Sequence, residues 1–199
     1  LEDNTIIIYA SDQGFFIGEH GWFDKRFMYE ESIRMPFIIK YPGEIKPNTI
    51  NEDIITNIDF APTILDIAGI NIPVSVQGNS FLNNLTENKN ENWRQSMYYH
   101  YYEYPFYHHV QPHYGIRNKR YKLIHFYYDI DVWELYDLQE DPNELKNLFY
   151  SDDHQNIVKK LKTELYNLKK EYGNELSLAD MRRISETDFG GLESNKSKK

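Results

Sequence analysis

Tyr9-Ala10-Ser11-Asp12-Gln13-Gly14-Phe15-Phe16-Ile17-Gly18-Glu19-His20-Gly21-Trp22-Phe23-Asp24-Lys25 continues the run Thr5-Ile6-Ile7-Ile8. The apolar, β-branched stretch Thr5–Tyr9 predicts a buried strand. It stops at a carboxylate, an amide and a glycine. In open α/β sheets, ligands gather where the carboxyl ends of parallel strands spill into loops. Asp12 and Gln13 offer hard oxygen ligands, suited to Ca²⁺ or Mg²⁺ rather than to a soft metal. The glycines allow tight turns and close approach to a ligand, and Lys25 adds a point positive charge. A metal-ligand pair followed by a cation is what a site for an oxyanion ester needs. Asp-Gln-Gly alone reads first as a plain turn, so the functional reading rests on the longer pattern.

Ser11-Asp12-Gln13-Gly14, Gly18-Glu19-His20-Gly21, Lys25 and Tyr29-Glu30-Glu31-Ser32-Ile33-Arg34-Met35-Pro36 run on without a gap. Together they resemble the second signature region of the sulfatases, within the alkaline-phosphatase-like superfamily. The resemblance implies that Asp12 and Gln13 bind Ca²⁺, ahead of Mg²⁺, and that this ion holds the sulfate and a formylglycine hydrate. It implies that Lys25 contacts the sulfate and assists the leaving oxygen. His20 either donates to the ester from the pocket edge or braces the glycine loop. Glu19 and Asp24 are expected to pair with Arg26, Arg34 or backbone amides. Zinc-dependent phosphodiesterases and phosphatases of the superfamily often show Asp-His-Gly at this place. The amide of Gln13 suits a single hard ion instead.

Leu1 opens the chain and zero cysteines occur in its 199 residues. Neither Cys-x-Pro-x-Arg nor Ser-x-Pro-x-Arg is present, so the residue converted to formylglycine is expected upstream of Leu1. A strand that begins so early also lacks the neighbours that a parallel strand needs. The chain therefore reads as the C-terminal part of a longer protein, inert by itself. A net charge of -9 argues against a nucleic-acid partner. No apolar run is long enough to span a membrane. The family resemblance implies a secreted, periplasmic or lysosomal parent.

Along the chain, Arg26 to Ile33 fits a short helix or an irregular turn. Phe37–Tyr41 predicts a second buried strand, closed by Pro42-Gly43. Asp59 is the expected N-cap of a helix with Pro62 in its first turn and Gly69 at its C-cap. Ile58 to Leu65 and Val76 to Phe81 resemble further family stretches, and Asp59 is assigned to packing. Residues 71 to 93 read as a crossover loop. Met97–Tyr102, Tyr114–Arg117, Tyr121–Tyr127 and Trp133–Tyr136 predict a small antiparallel sheet, with Asn118-Lys119-Arg120 as a hairpin turn. Leu135-Tyr136-Asp137-Leu138-Gln139-Glu140-Asp141-Pro142-Asn143-Glu144 resembles the family's ending and reads as structural. Ile157, Leu161, Leu165, Leu168 and Tyr172 mark an amphipathic helix with a solvated lysine face.

The expected fold is α/β. The C-terminal part of an alkaline-phosphatase-like doubly wound domain (1–93) precedes a small antiparallel β-sheet subdomain with a C-terminal helix (94–184) and a disordered tail (185–199). Specificity is expected in Tyr104 to Arg117, where aromatic faces and His or Arg donors could grip a sugar. His113 and Arg117 are the candidate ligands there, and most of the tyrosines are core. His113 to Arg117 and Asp131 to Tyr136 look most like N-acetylglucosamine-6-sulfatases, including those acting on mucin and heparan-type glycans. The expected partner is a sulfated glycan carrying 6-O-sulfated N-acetylglucosamine. Two alternatives stay open: a metal-dependent phosphodiesterase or phosphatase, and a non-catalytic glycan-binding protein.

Overall fold

The computed structural model of the protein describes residues 1–86, 92–104 and 108–189. Its elements are β1 (Ile7–Ala10), β2 (Phe16–Ile17), β3 (Phe23–Asp24), α1 (Glu30–Ile33), β4 (Phe37–Lys40), α2 (Phe60–Ile67) and α3 (Leu82–Leu85), followed by β5 (Ser96–Tyr101), β6 (His113–Asn118), β7 (Tyr121–Phe126), β8 (Val132–Asp137), α4 (Gln155–Glu171) and α5 (Leu178–Ile184). They fall into two units. One comprises Leu1–Gly14 and Arg34–Gln95, the other Phe15–Ile33 and Ser96–Lys199. Residues 105–107 of the expected specificity run and 190–199 of the expected tail lie outside the described residues. Ser185–Phe189 form a π-helical turn directly after α5. No helix among the described residues is long and apolar enough to cross a membrane.

In the first unit β1 pairs with β4, Ile8 opposite Ile39 and Tyr9 opposite Ile38, and the pairing is antiparallel. This corrects the expectation of two buried parallel strands. Ile7, Ile8 and Tyr9 are 52, 39 and 62 % exposed. Each strand has one neighbour in a two-stranded sheet, and an antiparallel pair can leave a face to water. The helix start also shifts. Thr56 caps a 3₁₀ turn at Asn57–Asp59, and the Asp59 carboxylate reaches back to the Thr56 N–H in a capping box. Asp59 is fully buried. It also accepts from the Asn79 N–H (2.9 Å) and pairs with Arg94 (2.8 Å), so its role is structural. Gly69 closes α2 at φ 68°, with the Ile70 N–H donating to the Leu65 carbonyl in a Schellman turn. Gly78 is needed for space, since a Cβ there would stand 2.0 Å from the Ile58 carbonyl oxygen.

The second unit is built on an antiparallel sheet in the order β5-β6-β7-β8, as the aromatic, β-prone runs predict. Asn118 Oδ1 accepts from the N–H groups of Arg120 and Tyr121 and holds the β6–β7 turn. Side chains of successive strand residues point to opposite faces. On one face Tyr114, Ile116, Leu123 and Leu135 pack against Val158, Leu161 and Leu165 of α4 and Met181 of α5. The lysines of α4 are not all solvated. Lys162 Nζ lies 4.0 Å from the Trp133 ring centre and Lys169 Nζ 4.3 Å from that of Tyr114. The opposite face carries Ile124, Phe126 and Tyr136, and what covers it is the Phe15–Ile33 segment, through Met28, Phe27, Tyr29 and Ile33.

Candidate functional site

β2 and β3 form a two-stranded hairpin, Phe16 opposite Asp24 and Ile17 opposite Phe23. Its turn takes positive φ at Gly18 (130°), His20 (54°) and Gly21 (70°), and the two glycines adopt it at little steric cost. The Glu19 carboxylate accepts from the Ile17 N–H (2.6 Å), one of the pairings expected for it. The His20 side chain is 16 % exposed and stands 3.5 Å from a Glu31 carboxylate oxygen. Its ring stacks on Tyr29 at 4.5 Å. His20, Phe16, Trp22, Phe27 and Tyr29 line a hollow of about 340 Å³.

Lys25 follows β3 and is half-buried. Charged and polar groups flank it. Asp24 accepts from Arg26 at 2.6 Å, as expected, and lies 3.0 Å from His108 Nδ1. Arg26 has φ 92°, a conformation rare for a residue with a Cβ. Its N–H donates to Ser32 Oγ (2.9 Å) and its carbonyl accepts from the Tyr99 hydroxyl (2.6 Å).

His113 and Arg117, the expected sugar ligands, both face the Phe15–Ile33 segment. His113 is wholly buried. Its Nδ1 lies 2.7 Å from the Gln111 carbonyl, and its Nε2 accepts from the Met28 N–H at 3.2 Å. These partners fix the neutral tautomer with the proton on Nδ1. Burial lowers its pKa to about 4. Arg117 donates to both carboxylate oxygens of Glu30 at 3.3 and 3.1 Å. Glu30 also pairs with the buried Lys122 (2.9 Å), which in turn meets the buried Glu144 at 2.7 Å. Burial pushes the Glu30 carboxyl up, but Lys122 and Arg117 together hold it below the usual carboxylate range. Glu144 has less cationic help, and burial pushes its carboxyl up. Its other oxygen accepts from the Glu30 N–H at 2.7 Å.

Asp12 and Gln13 lie in the first unit, just past β1. Asp12 is exposed and Gln13 half-buried, in a turn closed by Ser11 Oγ donating to the Gln13 carbonyl. His20, Lys25, His113 and Arg117 all lie in the second unit. Among the described residues no three His, Cys, Asp or Glu side chains gather into a metal site. The donor chemistry of Asp12 and Gln13 fits a hard cation with six to eight oxygen ligands, of which the pair could supply a part. Tyr99, Ser32 and His108 were not singled out in the sequence. Tyr99 is one of 17 tyrosines, and only alternation along β5 with knowledge of what covers each face sets it apart.

The N-sulphoglucosamine sulphohydrolase C-terminal family matches residues 18–171. The chain is 54 % identical over 173 residues to an N-acetylglucosamine-6-O-sulfatase of Bacteroides thetaiotaomicron, covering 85 % of this chain and 31 % of the relative. It is 35 % identical over 166 residues to an arylsulfatase of Clostridium perfringens, covering 78 % and 32 %. The solved structure of BT4656 in complex with its substrate D-glucosamine-2-N,6-O-disulfate superposes with a TM-score of 0.84 at 52 % identity, covering 87 % of this chain and 35 % of that one. The chain thus spans about a third of the length of these relatives. With the family match running from the glycine turn to the end of α4, this chain belongs to the N-sulphoglucosamine sulphohydrolase C-terminal family of the sulfatases.

Proposed function

We propose that the whole protein hydrolyses a sulfate ester on a glycan, with 6-O-sulfated N-acetylglucosamine as the substrate unit. The observation that carries this reading is the 54 % identity to an N-acetylglucosamine-6-O-sulfatase over most of the chain. The sugar in the BT4656 complex carries a 6-O-sulfate and supports the same choice. Asp12 and Gln13 would hold Ca²⁺, which when bound supplies positive charge to the sulfate oxygens. Lys25 contacts the sulfate and stabilises charge on the leaving oxygen, a role that matters most in the transition state. His20, stacked on Tyr29 beside Glu31, braces the glycine turn and walls the hollow. The nucleophile, a formylglycine, comes from outside residues 1–199, which hold no Cys-x-Pro-x-Arg or Ser-x-Pro-x-Arg. We place the parent enzyme outside the cytosol.

The test is made on the full-length enzyme with Ca²⁺. Sulfate release from N-acetylglucosamine-6-sulfate is measured beside hydrolysis of a phosphonate monoester and of a sugar sulfated elsewhere. Preferred release from the 6-sulfate is expected. Faster turnover of the phosphonate overturns the reading in favour of a phosphoesterase, and binding without turnover of any ester overturns it in favour of a glycan-binding protein.

A further inference from the structure

Alternate residues of β6 meet successive points of the segment that carries Lys25. His113 takes the Met28 N–H, Gly115 makes room for the Met28 side chain, and Arg117 takes the Glu30 carboxylate. The fit at Gly115 is close, because a Cβ there would lie 2.7 Å from Met28 Sδ and 2.4 Å from the Leu123 carbonyl oxygen. One strand over, Tyr99 of β5 donates to the Arg26 carbonyl, while the Arg26 N–H donates to Ser32 Oγ. Both main-chain groups of Arg26 are therefore occupied, at a residue with φ 92°. Backbone held in a sparsely populated region persists only where its surroundings over-determine it, and such residues cluster at functional sites. Here the strained residue is the one directly after Lys25.

We infer that Tyr99 and His113 are positioning residues, through which the four-stranded sheet fixes the main chain at Arg26 and Met28 and so aims Lys25. The inference rests on the reading of Lys25 as the group that contacts the sulfate. Its chemistry is consistent at each bond. Burial pushes the Tyr99 phenol up, so the hydroxyl stays protonated and serves as a donor. The neutral His113 ring keeps a lone pair on Nε2 for Met28, which an imidazolium could not offer. Lys25 cannot change its aim by main-chain rotation at Arg26 without breaking a hydrogen bond to Tyr99 or to Ser32. A displacement of about 1 Å at a reacting group can cost about 10²-fold in rate, so a clamp on the neighbouring peptide is a lever on catalysis.

The experiment is a double-mutant cycle in the full-length enzyme on N-acetylglucosamine-6-sulfate, with thermal melting as the folding control. Tyr99→Phe is expected to lower kcat by about tenfold with KM little changed, and Lys25→Ala by roughly 10²-fold. The double variant should be no slower than Lys25→Ala alone, because Tyr99 acts through Lys25. His113→Gln, whose amide oxygen can still accept from Met28, should retain more kcat than His113→Leu. Should Tyr99→Phe fail to fold, Ser32→Ala tests the same peptide from its other side, with the same expected loss. Full kcat in Tyr99→Phe, or losses that multiply in the double variant, overturns the positioning role and leaves the sulfatase reading intact. Full kcat in Lys25→Ala overturns both.

Discussion

Lys122 has no exposed side-chain surface and stands between Glu30 and Glu144. Removing one member of a buried charge group leaves the others uncompensated, at a cost of roughly 3–5 kcal/mol. Lys122→Met should therefore destabilise the second unit by about that much. Adding Glu144→Gln should recover part of the loss, and urea unfolding of residues 1–199 followed by circular dichroism measures both. Lys25 makes a different prediction because its proposed role is in the transition state. Lys25→Ala should lower kcat and kcat/KM together, by roughly 10²-fold. Steady-state kinetics of the full-length enzyme decides it, and a change confined to KM would mean that Lys25 only attracts the substrate. At this scale the sequence was informative about chemistry and silent about direction. His113 and Arg117 stood out as donors among aromatic residues. That both turn inward depends on a segment lying 85 residues away along the chain from His113, at Met28.

Among the elements, β5 to β8 and α4 were legible because short-range patterns specify them. Aromatic, β-prone runs alternate with turn residues, and apolar residues recur at helical spacing. The pairing of β1 with β4 was not, since an apolar β-branched run looks the same in a parallel and an antiparallel sheet. α5 has a local signal in Ser177, whose Oγ accepts from the Asp180 N–H as the N-cap of the helix. The sheet also carries an acid sensitivity. His113 titrates near 4 in the folded unit against an ordinary value of 6.5, and burial lowers His100 to about 2. Above pH 6.5 the His113 ring is neutral in both states, and stability is full. As pH falls from 6.5 towards 4 the unfolded chain takes the proton first, so stability drops, by about 3 kcal/mol for His113 alone. His100 acts in the same direction. Urea midpoints of residues 1–199 should fall between pH 7 and 4.5, and His113→Gln should flatten that slope.

For the whole molecule, the expectation is that residues 1–199 alone do not turn over. They hold neither formylglycine motif, and Asp12 with Gln13 supplies too few of the six to eight oxygens that Ca²⁺ takes. An assay with Ca²⁺ on 4-nitrophenyl sulfate and on N-acetylglucosamine-6-sulfate checks this, and turnover of either above background refutes it. The exposed apolar residues of β1 and β4 add a second expectation, that the isolated chain self-associates through them. Light scattering of wild type against Ile38→Lys reads it, with less association expected in the variant.

The second unit is discontinuous, since Phe15–Ile33 belongs with residues that follow Gln95. Synthesis proceeds from the amino end, so this segment leaves the ribosome long before the sheet that buries it. The stretch from Met28 to the end of β8 at Asp137 takes on the order of ten seconds to add at roughly 5–20 residues per second. For that interval Phe27, Met28 and Tyr29 lack the sheet residues Ile124, Phe126 and Tyr136 that they pack against in the finished unit. The loop bearing Lys25 is thus made well before the sheet of its own unit and is set only when that sheet is complete, and during that wait it is open to chaperones and proteases.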